Sequence, residues 1–395
     1  MDRSPVNDVG SQATRTGAYF PAVYLAFVDR RMRPSYNPVV LGTASSPPPQ
    51  ITPSTNMQPI KNIAVIGAGA WGTALAKTLA ENGLTVRLWA YEPDVVHAIN
   101  TVHENFLFLK GVTLPTTLTA TSSFQEALDG CDGILFVTPS HVARPVLERL
   151  ASCLANPIPL MSATKGIEED TTKLMTQVID DILPKTMQPM LMALSGPSFA
   201  SELSAGRPTA VCLAGADHQL VRQFQHALMT PTFRVYADTD MIGVQLGGAL
   251  KNVIAVAAGI VDGLELGLNA RAALITRGLA EIVRLGVAMG ADPRTFYGLS
   301  GVGDLVLTCT GTLSRNHTVG MRIGKGERLD SILGTMHTVA EGVRTARAAL
   351  GLAKRYGVGM PIIQEINAVL FEDKSCRKAV SDLMERDAKE EKEPA

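Results

Sequence analysis

Aromatic residues make up only 5% of this 395-residue chain, and its net charge is -1. So balanced a charge produces no global field to draw in nucleic acid or an acidic membrane surface, and any anionic ligand has to be met by local charges. Cysteine is scarce as well. Cys131, Cys153, Cys212, Cys309 and Cys376 are odd in number and widely spaced. No Cys-x-x-Cys pair and no Cys/His group with zinc-like spacing occurs, so no metal site is expected and the thiols read as scattered core residues in a reducing compartment. No apolar run reads as reaching the ~20 residues that a membrane-spanning helix needs. What the chain does have is 46% hydrophobic residues, with 35 glycines and 23 prolines. That is material for at least one full core, and the length suggests two domains.

Residues 1–57 differ from the remainder: they contain Pro47-Pro48-Pro49, many Ser and Thr, and no clear period. Five arginines against three acids, and the short apolar stretch Ala18 to Val28, admit a targeting peptide. The preferred expectation is a disordered extension or an upstream mis-start, because Met57 stands just before the first strong strand pattern.

From Asn62 the pattern changes. Ile63-Ala64-Val65-Ile66 is a short buried-strand run ending in glycine, and Thr73 to Glu81 follows as a helix closed by Asn82-Gly83. Thr85 to Ala90, Gly133 to Val137, Pro159 to Ser162, Met190 to Leu194 and Thr209 to Leu213 read as further strands. Helical stretches at 141–153, 171–182 and 198–204 fall between several of them. Strands alternating with helices imply a doubly wound parallel sheet of the α/β class. After Asp240 the strand signal stops, and 241–264, 270–290, 338–356 and 361–371 read as helices. The expected organisation is therefore an extension (1–57), a Rossmann-type domain (58–240), an all-helical C-terminal domain (241–386) and a charged tail (387–395).

Gly67-Ala68-Gly69-Ala70-Trp71-Gly72 follows the first strand and opens the first helix. A lone glycine string is a weak signal, but this context matches a dinucleotide-binding loop. Gly67 permits the tight turn, Gly69 leaves room for a diphosphate, and Gly72 lets the helix pack close to the sheet. The diphosphate then meets free N–H groups at the positive end of the helix. Glu92, 20 residues beyond Gly72, stands near the interval where an acid would hold the ribose hydroxyls. No arginine stands at that turn. The pattern leans to NAD and leaves NADP open.

Four further segments are dense in chemistry: Ser162-Ala163-Thr164-Lys165-Gly166, Ser195-Gly196-Pro197-Ser198-Phe199-Ala200, Gly247-Gly248-Ala249-Leu250-Lys251-Asn252, and Gly303-Asp304-Leu305 followed by Ser314-Arg315-Asn316. Lys251 lies among apolar neighbours, where the charged form of an amine is disfavoured and its pKa can fall towards the working pH. The alternative for such a lysine is snorkelling to solvent. Arg315 offers a planar fork suited to phosphate, although Ser-Arg-Asn also reads as a polar helix cap.

From about Ile63 to about Arg377 the chain resembles NAD(P)-dependent glycerol-3-phosphate dehydrogenase of the bacterial type. The strings Ile242 to Gly248, Ala270 to Gly278 and Gly303 to Cys309 carry the likeness more specifically than the glycine loop does. The resemblance implies reversible hydride transfer between dihydroxyacetone phosphate and sn-glycerol 3-phosphate, feeding phospholipid synthesis. It implies Lys251 as the catalytic lysine and Asp304 as its orienter or a ligand of a substrate hydroxyl. Lys165 would be shared by cofactor and substrate. Gly196, Ser198, Ser314, Arg315 and Asn316 match substrate positions, and Arg315 also faces the cofactor. Ala70, Trp71, Tyr91, Ala200, Val339 and Glu341 match cofactor positions. A small phosphorylated substrate, a homodimer and a cytoplasmic location are the further expectations. Ser198 departs from the threonine common in the family and keeps the hydroxyl, whereas the extension is foreign to the pattern and puts location in doubt. Two competing readings are a related two-domain dehydrogenase acting on a substrate without phosphate, and a non-catalytic nucleotide sensor on the same fold.

Overall fold

The computed structural model describes residues 59–336, 340–388 and 390–391. The extension at 1–57 and the cofactor candidate Val339 lie outside them. Among the described residues eight strands form one sheet: β1 (Asn62–Ile66), β2 (Thr85–Trp89), β3 (Leu118–Thr121), β4 (Gly133–Phe136), β5 (Leu160–Ser162), β6 (Leu191–Ser195), β7 (Thr209–Gly215) and β8 (Phe233–Asp238). Their order is β3-β2-β1-β4-β5-β6-β7-β8. The first six run parallel; β7 pairs antiparallel with β6, and β8 runs parallel to β7. The sheet is thus mostly parallel. The exception lies between β6 and β7, whose connection carries a helix of only five residues.

Helices cover both faces: α1 (Ala70–Glu81), α2 (Pro93–Val102), α3 (Phe124–Leu128), α4 (Ala143–Ala151), α5 (Met175–Ile182), α6 (Ala200–Ser204) and α7 (His218–Leu228). Side chains alternate across a strand, so a sheet covered on both sides needs apolar residues at every position. β1 meets this demand. Ile63 and Val65 enter the core under α1 and α7, while Ala64 and Ile66 enter the opposite one under α3 and α4. The strand β3 escapes the periodicity argument. β3 reads Leu-Thr-Ala-Thr at the sheet edge, and its buried positions are only Leu118 and Ala120.

Among the described residues every element after Asp240 is helical: α8 (Met241–Gly263), α9 (Gly267–Ala288), α10 (Asp304–Thr310), α11 (Arg315–Gly324), α12 (Leu329–Gly334), α13 (Glu341–Arg355), α14 (Pro361–Phe371) and α15 (Cys376–Met384). The axis of this half is α8, which is buried on all sides. By length and composition it is apolar enough to cross a membrane, which corrects the expectation that no run approaches that length. Its complete burial accounts for the composition: a helix packed all round has no face to give to polar residues.

Small residues set the packing around α8. A Cβ on Gly320 of α11 would lie 1.9 Å from the Val256 carbonyl oxygen, and one on Gly259 of α8 would lie 2.1 Å from that of His317. The two helices therefore meet backbone to backbone, which fixes where α11 begins. Gly320→Ala should lower stability by about 1–3 kcal/mol through overpacking. An unchanged urea midpoint would contradict this close approach.

Candidate active site

At the carboxyl edge of the parallel strands, the chain leaves β1 through Gly67, whose φ of +121° favours glycine and whose N–H donates to the Trp89 carbonyl at 3.1 Å. A Cβ on Gly72 would lie 1.9 Å from the Gly67 carbonyl oxygen, whereas one on Gly69 would meet nothing within 4 Å. No side chain caps α1, so its positive end is free for an anion. The Trp71 Nε1 is buried without a partner. Open space at Gly69, an uncapped helix and an orphaned indole N–H suit a dinucleotide. Tyr91, two residues past β2, is 74% exposed.

Three residues beyond β5, the Lys165 ammonium donates to the Gly196 carbonyl at 2.9 Å, to the Ser198 hydroxyl at 3.4 Å and to Asp304 Oδ2 at 2.8 Å. It also lies 5.9 Å from the centre of the Trp71 ring. Gly196 holds a φ of +143° at the end of β6. Ser198 turns its hydroxyl back onto the Gly196 carbonyl at 2.8 Å, and Ala200, half-buried, starts α6.

Lys251 comes from α8. Gly247 and Gly248 bring that helix close, since a Cβ on either would fall 2.3 Å from the Ser300 carbonyl oxygen or 2.2 Å from the Ser195 hydroxyl. Lys251 is 7% exposed, donating to Asp304 Oδ1 and, at 2.9 Å, to the Thr308 hydroxyl. Asp304 itself has no exposed surface. It opens α10 directly after a π-turn at Leu299–Gly303, and Gly301 breaks helical geometry there with φ -99° and ψ -105°. Thr308, one turn on, gives its hydroxyl proton to the Asp304 backbone carbonyl at 2.7 Å and so turns a lone pair to Lys251. Two amines thus share one carboxylate. Burial pushes the Lys251 pKa down to about 7, with Asp304 opposing the shift and Lys165 adding to it. The cluster carries excess positive charge when both amines are protonated, which favours an anionic ligand.

The triplet at the start of α11 divides its duties. Ser314 caps the helix, accepting from the His317 N–H at 3.3 Å. Asn316 donates to Asn252 Oδ1 at 2.9 Å and accepts from the Gly342 N–H at 2.9 Å. Arg315 alone is exposed. Glu341, the first residue of α13, accepts from the Ser140 N–H at 3.0 Å and its hydroxyl at 2.5 Å. Burial raises the Glu341 pKa against these bonds.

Hydrogen bonds therefore join Lys165, Gly196, Ser198, Lys251 and Asp304 directly. Through Asn252, Asn316 and Gly342, the chain neighbours Lys251, Arg315 and Glu341 are fixed against one another. Tyr91 stands apart from this network. Sequence reasoning missed Thr308, Asn252 and Ser140. Thr308 was open to discovery, standing four residues after Asp304 on one helical face; Ser140 carried no signal.

A family model described as the NAD-dependent glycerol-3-phosphate dehydrogenase N-terminus matches residues 62–221, and its C-terminal counterpart matches residues 240–381. A glycerol-3-phosphate dehydrogenase (NAD(P)+) from Geobacter sulfurreducens is 54% identical over 332 residues, covering 84% of this chain and 99% of that protein. One from Myxococcus xanthus is 52% identical over 327 residues, with 83% and 98% covered. The crystal structure of glycerol-3-phosphate dehydrogenase from Coxiella burnetii superimposes with a TM-score of 0.79 at 38% identity, covering 83% of this chain and 99% of that one.

The depressed amine pKa can be read directly. After reductive 13C-methylation, one dimethyl-lysine resonance should titrate near pH 7 and be absent from Lys251→Arg. Titration of every lysine above pH 9 would show that burial does not discharge this amine.

Proposed function

Since the chain belongs to the NAD-dependent glycerol-3-phosphate dehydrogenase family, we propose that Lys251 moves the proton while the chain interconverts dihydroxyacetone phosphate and sn-glycerol 3-phosphate. The observation that carries this reading is the buried Lys251–Asp304–Lys165 cluster, with one amine brought down to about 7. Such an amine exchanges a proton readily near neutral pH. NAD(H) or NADP(H), when bound, supplies or accepts the hydride.

Each residue then has a task. Lys251 gives a proton to the carbonyl oxygen during ketone reduction and takes it back from the hydroxyl during oxidation. Asp304 keeps Lys251 aimed and compensates its charge while it is protonated. Lys165, tied to the Gly196 carbonyl and the Ser198 hydroxyl, places a second positive charge beside the reacting oxygen and stabilises the charge that develops there. Gly196 and Ser198 shape the substrate wall. Arg315 meets the phosphate with its fork, at a helix start that Ser314 caps and Asn316 anchors. Gly67, Gly69, Ala70, Trp71 and Gly72 hold the diphosphate, and Tyr91, Ala200, Arg315, Val339 and Glu341 complete the cofactor site.

The strand-bearing part, residues 58–240, serves the cofactor, and the helical part, 241–386, serves catalysis. The product supplies phospholipid synthesis, and the site of action is the cytoplasm. A homodimer belongs to the same reading. The competing dehydrogenase reading, on a substrate without phosphate, leaves Arg315 only its cofactor contact and no substrate phosphate to meet.

Dihydroxyacetone phosphate assayed with NADH and NADPH in parallel should give loss of reduced-cofactor absorbance with at least one of them. Lys251→Ala should cut turnover by at least ~100-fold while cofactor still binds. Near-normal turnover in that variant would overturn the assignment.

A further inference from the structure

Ala68 and Gly69 share the peptide at the centre of the glycine loop, and the carbonyl of that peptide is not turned to solvent. It accepts from the Asn105 amide at 2.8 Å and from the Thr73 hydroxyl at 3.1 Å. Asn105 donates its second amide hydrogen to Thr73 Oγ1 at 2.8 Å, closing a triangle of three hydrogen bonds. Asn105 has no exposed surface. Its side-chain oxygen accepts from the Phe108 N–H at 3.1 Å, so every polar atom of the amide is engaged. The segment that carries it, between α2 and β3, is held in place by a Glu104–Thr113 bridge and by the buried Leu109 and Leu114.

In a planar trans peptide the carbonyl and the following N–H point in opposite directions. Fixing the Ala68 carbonyl inward sends the Gly69 N–H outward, on a loop where a Cβ at Gly69 would meet no atom within 4 Å. Without the anchor this peptide can flip, since glycine imposes little preference of its own. A flipped peptide would present a carbonyl oxygen to an anion.

We infer that Asn105 is a positioning residue for the dinucleotide: it sets the Ala68–Gly69 peptide so that the Gly69 N–H faces the diphosphate. The inference rests on the reading that this loop takes the cofactor. Asn105 touches neither substrate nor reacting atoms. Its removal should act on cofactor affinity and spare the chemical step.

Asn105→Asp isolates the donor. The introduced carboxylate still accepts from the Phe108 N–H, so the segment keeps its attachment, but it sets an oxygen against the Ala68 carbonyl. With NADH binding followed by fluorescence at pH 8.5, Asn105→Asp should weaken the dissociation constant about tenfold or more, within the range for a lost buried hydrogen bond. At saturating cofactor its kcat should stay within about twofold of the wild type, with the KM for dihydroxyacetone phosphate unchanged. Thr73→Val, which removes the second donor and perturbs folding less, should weaken NADH binding about threefold and carries the test if Asn105→Asp does not fold. Wild-type affinity in the folded variants overturns the inference, as does a proportional loss in kcat and in the KM for the ketone. Failure of the wild-type chain to bind either NADH or NADPH would instead overturn the reading of the loop itself.

Discussion

A carboxylate sealed from water is strongly destabilising unless its charge is met, and Asp304 is sealed completely. It is met twice, by Lys165 from the sheet and by Lys251 from α8. Neither lysine is free of this arrangement. Remove Asp304, and two amines face each other with no compensating charge. Remove either amine, and the remaining one binds the carboxylate alone, with no excess charge left to attract an anion. The acid–base character of Lys251 follows from this sharing: burial lowers its pKa, Lys165 lowers it further, and Asp304 prevents the amine from losing its proton altogether. The balance ends near neutrality, which suits the proton transfer proposed for this amine in both directions.

Bringing these three side chains together requires close backbone approach. Gly247 and Gly248 seat α8 against the π-turn and the end of β6, and that contact carries Lys251 to the edge where Lys165 emerges. Gly259 and Gly320 seat α11 on the same helix. The amide chain Asn252–Asn316–Gly342 then locks α8, α11 and α13 in register. Precision at the site therefore comes from helices that touch backbone to backbone and leave little room to slide.

How much of this the sequence disclosed depended on the physical signal. β1 was legible because burial on both faces demands an uninterrupted apolar run, and the glycine loop because a tight turn after such a strand admits few alternatives. The reversed direction of β7 was not legible, since a strand's composition does not record its polarity. β3 was missed because it has only four residues and two buried positions, and α2 was missed although Val95, Ile99 and Val102 repeat at helical spacing. α8 was recognised as a helix, but its membrane-like apolarity reflects burial on every side. At the site, Lys251 and Asp304 were found through family strings. Thr308 went unnoticed although helical spacing pointed to it. Ser314 and Asn316 are engaged in capping and bracing, a duty that residue type alone could not separate from ligand contact. Asn105 lay outside every motif because its partner, the Ala68 carbonyl, is backbone and leaves no trace in composition.

Lys251 is the proposed proton donor, and burial beside a shared carboxylate sets its pKa. The most direct measurement is the pH dependence of kcat/KM for dihydroxyacetone phosphate reduction and for glycerol 3-phosphate oxidation on one preparation. A group whose folded pKa is about 7 is protonated below that pH and neutral above it. Reduction should therefore fall about tenfold per pH unit above roughly 7, whereas oxidation should rise with pH up to roughly 7 and level off above it. Two profiles that are flat between about pH 6 and 9 would contradict the account.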